Sequence, residues 1–278
     1  MWRTAVFRHA ATMPEGARLL RTVCDQQAAE VLSLWRSGMG EPVEAVILAG
    51  GRGTRLRPFT ISIPKPLLPV GDVPIVEIVL RQLRQRGFKR VCFSLGHLAP
   101  LIENFFGDGA KIGLDLSYVV EDEPLGTAGA LTIVPNLADS FIVQNGDTLT
   151  DLDYGVFLEA HRASDAAATI FAQKVDEFVD YGVVEFDESA MLVEYLEKPT
   201  RHYFVSTGIY ALNRSILDLA EQGARLDMPD LLKRARAAGR RVCCFTQDGA
   251  YWRDIGRFDH YEAASKDFEA ERERFLKG

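Results

Sequence analysis

The sequence predicts an α/β protein built on a mixed, mostly parallel sheet flanked by helices, and three observations carry that expectation. An almost wholly apolar run at 43–48 reads as a strand buried on both faces, and it ends in a glycine turn. From Val43 onward, short apolar runs alternate with amphipathic segments, the rhythm of successive βαβ units. Beyond residue 166 strand-like runs dominate, as a mixed second half completing the same sheet would require.

Residues 1–42 read differently. They hold no strand run, while Ala17, Leu20, Val23, Ala28, Val31, Leu32 and Trp35 recur at helical spacing, so a helical extension ending in a linker at 37–42 is expected, with 43–278 as the main domain. After the first strand and a long loop, Pro74 opens a helix in which Ile75, Ile78, Val79 and Leu83 make one apolar stripe and Gly87 marks the end. The alternation continues through a strand at 90–95, a helix at 100–106, a strand at 114–120, a helix after Gly126, a strand at 141–144 and a helix at 154–163. Short connections favour right-handed crossovers and a parallel sheet. Later strands are expected at 168–174, 182–187, 192–197 and 204–212, with helices near 216–221 and 229–238. The tail, 259–276, reads as a solvated capping helix carrying Tyr261, Ala264, Phe268 and Phe275.

Composition narrows the function classes. With 32 Lys and Arg against 39 Asp and Glu, the net charge of −7 argues against a nucleic-acid binder. A hydrophobic content of 47% rules out intrinsic disorder. No run of about 18 apolar residues is available to span a membrane. Charges at Arg3, Arg8, Glu15, Arg18, Arg21 and Asp25 break up any secretion signal, so a cytoplasmic protein with reduced thiols is expected. Its four cysteines form no C-x-x-C, and the vicinal Cys243 and Cys244 read as small buried thiols on opposite faces of a strand.

The residues that carry chemistry begin with LAGGRGTRLRP, 48–58, directly after the first strand. In open α/β sheets ligands bind beyond the carboxyl ends of strands, and Gly50, Gly51 and Gly53 let backbone N–H groups approach an anion closely. Arg52, Arg55, Arg57 and Lys65 lie within fourteen residues that contain no acid, which suits a polyphosphate. The loop lacks the Gly-Lys pair of a P-loop, and Leu56 stands where a dinucleotide fingerprint needs a small residue. Lys65 is stiffened between Pro64 and Pro66, a preorganised point charge. Asp147 and Asp254 each close an apolar strand and so point toward the same crevice, where Mg²⁺ would take one or two carboxylates plus phosphate oxygens. The five histidines form no H-x-H or H-E-x-x-H pattern, and no G-x-S-x-G occurs.

These runs, in order, resemble the sugar-1-phosphate nucleotidyltransferases: AGGRGTRLRP, PKPLLPVGDVP, EPLGTAGAL, NGD, YGVVE, EKP, STGIY and WRDIG, spread over residues 43–265. The closest likeness is to mannose-1-phosphate and heptose-1-phosphate guanylyltransferases. The resemblance implies a Rossmann-like nucleotide-diphospho-sugar transferase fold, with a nucleoside triphosphate and a sugar-1-phosphate as partners and Mg²⁺ as cofactor. By similarity, Leu48, Ala49, Gly50, Gly51, Gly53, Thr54, Glu123, Gly126 and Thr127 would hold the nucleotide, with Arg55 and Lys65 neutralising its phosphates as catalytic cations. Asp147 and Asp254 would bind the metal. Glu197 would hydrogen-bond sugar hydroxyls, Lys198 would hold the sugar phosphate, and Tyr181, Gly182, Thr207 and Gly208 would line the sugar pocket. A carboxylate at Glu121 or Glu123 could accept from the N1–H and amino edge of guanine, giving guanylyl transfer, with uridylyl transfer to an amino-sugar phosphate as the alternative. A catalytically silent nucleotide-sugar sensor is the rival from another class, and Arg55, Lys65, Asp147 and Asp254 are all present against it. Residues 1–42 fall outside the resemblance and are expected to serve as a regulatory remnant or a contact in a homo-oligomer.

Overall fold

The computed structural model describes residues 44–51 and 53–276, so the extension expected at 1–42 lies outside the described residues. β1 (Glu44–Ala49) buries Ala45, Val46 and Ile47 completely. The loop after it winds through short 3-10 turns into a two-residue hairpin of β2 (Pro69–Val70) and β3 (Val73–Pro74), a feature too short to leave a periodic signal. α1 (Ile75–Gln85) follows, then β4 (Arg90–Leu95), α2 (Ala99–Phe106), β5 (Asp115–Val120) and a single helical turn at Gly126–Gly129. Next come β6 (Ser140–Asn145), β7 (Thr148–Thr150), α3 (Tyr154–Ala163), β8 (Ala168–Phe178), β9 (Val183–Phe186), β10 (Leu192–Leu196) and β11 (Thr200–Asn213). α4 (Met228–Ala237), β12 (Val242–Phe245), β13 (Trp252–Asp254), α5 (Phe258–Ala270) and a last turn at Arg272–Phe275 complete the described chain.

Seven strands form one sheet in the order β12-β8-β11-β6-β1-β4-β5, in which only β11 runs antiparallel to its neighbours. The expected mixed, mostly parallel sheet is therefore present. The segments expected at 182–187 and 192–197 do not join it, however. Among the described residues β9 and β10 pair only with each other, as a separate hairpin in the segment that joins β8 to β11. β7, missed in the sequence, pairs antiparallel with β13, the short strand that Asp254 is expected to close, and sets Asp254 opposite Thr148.

The outer halves of β8 and β11 pair only with each other and project past the carboxyl end of β6 as an arm. Their register shifts between Ser206 and Tyr210, where Gly208 takes φ +79° and a Cβ would collide with the Asn145 side chain. Two apolar clusters hold the body together. One packs Leu131, Phe141, Leu212, Met228 and Leu231; the other gathers Leu56, Val70, Ile75, Leu149, Ile255, Phe268 and Phe275. The C-terminal helix thus does more than cap. Ala264 and Phe268 are fully buried and each such aromatic contributes about 1.5–3 kcal/mol. The cysteines also depart from expectation: Cys92 is buried, but Cys244 is exposed and Cys243 half-buried because β12 is an edge strand.

A polar knot locks the inner sheet. His161 is fully buried; its Nδ1 lies 2.8 Å from Thr169 Oγ1 and its Nε2 3.1 Å from Asn213 Oδ1, while Asn213 Nδ2 donates to the Ala166 carbonyl at 2.8 Å. Burial holds this imidazole below its usual pKa. The unfolded chain takes up a proton near pH 6.5 that the fold refuses, so this group's contribution is complete above that pH and is lost as pH falls through the lowered folded value. Thermal melts at pH 7.5 and 5.5 should show a smaller acid-induced drop in Tm for His161→Gln than for the unaltered protein; equal drops would remove His161 from the account.

Candidate functional site

The carboxyl end of β1 opens into a cavity of about 360 Å³. Its lining comes from five places in the sequence: Leu48 to Gly51 and Gly53 to Arg55, then Lys65 and Pro66, then Glu121, Pro124, Gly126, Thr127 and Ala130, then Asn145 and Asp147, and finally Gly256. The loop can pass so close to its neighbours because it lacks side chains. A Cβ on Gly50 would sit 2.7 Å from Glu121 Oε1, and one on Gly96 would sit 2.7 Å from the Gly50 carbonyl oxygen. Gly53 takes φ +58°, and the Thr60 hydroxyl pins it by donating to its carbonyl at 2.7 Å.

Lys65 and Asp147 form an ion pair inside this cavity, with only 13% and 26% of their side chains exposed. Pro64 and the 3-10 turn at Lys65–Leu67 fix the lysine backbone, and Leu68 N–H closes the turn on the Lys65 carbonyl at 3.0 Å. The second acid arrives from β13. Ile255 N–H donates to the Asp147 carbonyl at 3.0 Å, and a Cβ on Gly256 would lie 2.6 Å from Asp254 Oδ2 and 3.7 Å from Lys65 Nζ. Asp254 Oδ1 is held by His260 Nδ1 at 2.9 Å, a contact from the first turn of α5 that no sequence motif announces. Lys65 thus pairs with Asp147, while Asp254 pairs with His260. Arg55 is exposed on the cavity wall, and no described carboxylate pairs with it.

Among the described residues no cluster of three or more Asp, Glu, His or Cys side chains could hold a metal on its own. Asp147 on the cavity wall and Asp254 at the end of the strand paired with β7 are the donor type that suits Mg²⁺, which takes one or two carboxylates and completes its six ligands with waters and phosphate oxygens.

Another part of the cavity wall is built on Glu121. Its Oε1 accepts from Ser94 Oγ at 2.9 Å and its Oε2 from Leu125 N–H at 2.8 Å, so the carboxylate is held in place against the glycine loop. Glu123 is exposed and does not line the cavity. The turn at Gly126–Gly129 is clamped from α4: Ala128 and Gly129 N–H both donate to the Leu226 carbonyl at 2.9 Å, and Met228 N–H donates to Thr127 Oγ1 at 2.7 Å. A Cβ on Gly126, at φ +75°, would meet Asp227 Oδ1 at 2.6 Å.

The remaining expected residues sit on or beside the arm. Tyr181 is 78% exposed, Lys198 Nζ pairs with Asp180 Oδ1 at 2.8 Å, and Glu197 Oε2 accepts from Tyr195 OH at 3.2 Å. Gly182 lies against the Tyr195 ring. Thr207 is buried, its hydroxyl donates to the Phe171 carbonyl at 2.7 Å, and Trp252 Nε1 donates to the Thr207 carbonyl at 2.9 Å. Gly208 abuts Asn145, which connects the arm's root to the cavity. The sequence therefore names two groups: one assembled around the glycine loop, the other spread along the projecting strands.

Comparison with known proteins fits this geometry. The chain is 34% identical over 232 residues to a mannose-1-phosphate guanylyltransferase of Mycobacterium tuberculosis, covering 81% of this chain and 64% of that protein. It is also 34% identical over 239 residues to a UTP–glucose-1-phosphate uridylyltransferase of Synechocystis, covering 79% and 61%. It thus spans less than two thirds of these curated relatives. The crystal structure of HddC from Yersinia pseudotuberculosis superposes with a TM-score of 0.62 at 29% identity, covering 81% of this chain and 99% of that one, and HddC is also known complexed with GMP-PN. The fold is the Rossmann-like one of these nucleotidyltransferases. Since the model of the nucleotidyl transferase family matches residues 44–271, every strand and helix described above included up to the end of α5, the chain belongs to the nucleotidyl transferase family.

Proposed function

We propose that the chain transfers a guanylyl group from GTP to the phosphate of a sugar-1-phosphate and releases pyrophosphate. The observation that carries this reading is the meeting, in one strand-end cavity, of the glycine loop, the Lys65 ammonium and the anchored Glu121 carboxylate. Guanine presents N1–H and an amino group side by side, two donors for one carboxylate, whereas uracil flanks its single N–H with two acceptors that a carboxylate repels. Glu121 favours the first. Mannose-1-phosphate guanylyl transfer in the M. tuberculosis relative and the GMP-PN complex of HddC support the same choice.

The triphosphate would lie along Gly50, Gly51, Gly53 and Thr54, with Arg55 and Lys65 facing its charge and Leu48, Ala49, Gly126 and Thr127 bounding the base. A phosphate oxygen of the sugar-1-phosphate attacks the α-phosphorus in line; the new P–O bond forms as the bond to the β-phosphate oxygen breaks. The attacking phosphate is already an anion, so no general base is required. The work of these residues is to align two mutually repelling anions and to stabilise the charge that develops between them. Asp147 and Asp254 would hold a Mg²⁺, which when bound supplies further positive charge at the phosphates. Tyr181, Gly182, Glu197, Lys198, Thr207 and Gly208 would receive the sugar, with Lys198 leaving Asp180 for the sugar phosphate.

Incubating the protein with each nucleoside triphosphate against a panel of sugar-1-phosphates tests the reading. A GDP-sugar and pyrophosphate, formed only with Mg²⁺ and both substrates, are expected. A preference for UTP would overturn the base assignment, and no product from any pair would point to a silent sensor.

A further inference from the structure

The two oxygens of Asp254 have different neighbours. Oδ1 lies 2.9 Å from His260 Nδ1, whereas Oδ2 lies so near Gly256 that a Cβ there would stand 2.6 Å from it. Gly256 belongs to the cavity wall, and the same Cβ would stand 3.7 Å from Lys65 Nζ. One oxygen is therefore tied to α5 while the other rests against a residue that faces the cavity. Without a side-chain partner, a carboxylate at the end of a strand can take several rotamers, and either oxygen could meet the cavity. Among the described residues His260 is the side chain that hydrogen-bonds to Asp254; the nearby Arg253 and Arg257 are engaged by Asp267 and Asp259.

A side chain can orient another only if it is held itself. His260 sits in the first turn of α5, and that turn is anchored to the loop that carries Lys65. The Phe258 ring lies 5.5 Å from the Phe59 ring, and Tyr261 OH donates to the Pro69 carbonyl at 2.7 Å. Further along the helix, Ala264 and Phe268 are fully buried in the cluster that contains Leu56, Val70 and Ile255. The imidazole thus stands on a fixed support.

The two acids are held in different ways. Asp147 pairs with Lys65, and both line the cavity. Asp254 is held by a ring that is not on the cavity wall, through the oxygen farther from Gly256. Groups that hydrogen-bond a ligating carboxylate fix its orientation, and their loss typically costs about 10–100-fold in metal affinity.

We propose that His260 is a positioning residue for the metal: by holding Asp254 Oδ1 it keeps Oδ2 at Gly256, presented to the Mg²⁺ of the reaction. This role rests on Asp254 binding the metal, as proposed above.

Mn²⁺ titrations of the full chain without nucleotide, followed by electron paramagnetic resonance, test the role. His260→Phe, which keeps a ring and loses the donor, should weaken Mn²⁺ binding about 10–100-fold. His260→Asn, whose amide N–H can stand in for Nδ1–H, should restore most of that loss. In turnover assays the Mg²⁺ concentration giving half-maximal rate should rise by the same factor in His260→Phe, while kcat at saturating Mg²⁺ and Tm stay unchanged. A merely structural lesion would lower both and overturn the role. Asp254→Asn in the same titration separates this role from the metal assignment. If Asp254→Asn weakens Mn²⁺ binding and His260→Phe does not, His260 positions nothing and the metal reading stands. If Asp254→Asn leaves Mn²⁺ binding unchanged, the metal assignment fails and this role with it. A loss in His260→Phe that His260→Asn does not relieve assigns the effect to packing of the ring and refutes the hydrogen bond as its cause.

Discussion

Replacing Lys65 by alanine should lower kcat for pyrophosphate release by on the order of a hundredfold or more, the range seen when one preorganised charge-stabilising group is lost. The lysine is held by the proline-flanked turn, buried to 13% exposure and aimed at Asp147 beside Gly256. Its removal subtracts a cation from the triphosphate site and at the same time leaves Asp147 without its counter-ion. These two effects have opposite signs in different experiments. Turnover falls, yet Mn²⁺ binding without nucleotide, followed by electron paramagnetic resonance, should tighten because no ammonium competes for Asp147. A misfolded variant would lose both properties. Lys65→Arg should rescue little, since a planar guanidinium spreads over a fork of donors the charge that the ammonium places at one point. Unchanged turnover together with unchanged Mn²⁺ affinity would remove Lys65 from the catalytic account. Asp147→Ala should abolish the Mg²⁺-dependent product, in line with the same pairing.

The second large effect belongs to the base. Glu121→Gln should lower kcat/KM for GTP by about 10–100-fold, the discrimination of 1–3 kcal/mol carried by a good two-point contact with a base edge. The amide can still accept from Leu125 N–H and can donate to Ser94 Oγ, so the local structure has a way to persist. Unlike a carboxylate, it offers one donor and one acceptor, which suits the N3–H and O4 of uracil. UTP should therefore gain relative to GTP, and the ratio of the two kcat/KM values is the quantity to measure. An unchanged ratio would place base selection elsewhere on the cavity wall. Glu123→Gln, on an exposed side chain outside the cavity, serves as the matched control.

The parts of this molecule legible in the sequence were those with strong local grammar. β4 and α3 fall at their expected residues because each is a dense apolar run bounded by turn formers. The glycine loop, Lys65 and Asp147 were found because residue type alone, next to a buried strand, constrains what they touch. What stayed hidden depends on partners far apart in the chain. β7 is three residues long and exists only through β13, so it carries no period, whereas β13 shows in the sequence as the apolar run that Asp254 closes. Glu121 and Glu123 differ by two positions in a coil segment, and only the placement of Ser94 and Gly50 turns the first inward. Likewise the hairpin β9–β10 has ordinary strand composition, and nothing in it says that the main sheet ends before it begins.

The register shift at Ser206–Tyr210 divides β11 into two pieces with different duties. Residues past Gly208 are wedged between β6 and β8, whereas those before it pair only with β8, with Trp252 of β13 bonded to Thr207 at the junction. Residues 200–205 of the outer piece do not line the glycine-loop cavity, so substitutions there leave its wall in place. Where the arm receives the sugar, as proposed, exchanging residues 174–205 with those of a relative becomes a route to altered acceptor preference with the glycine-loop cavity left in place.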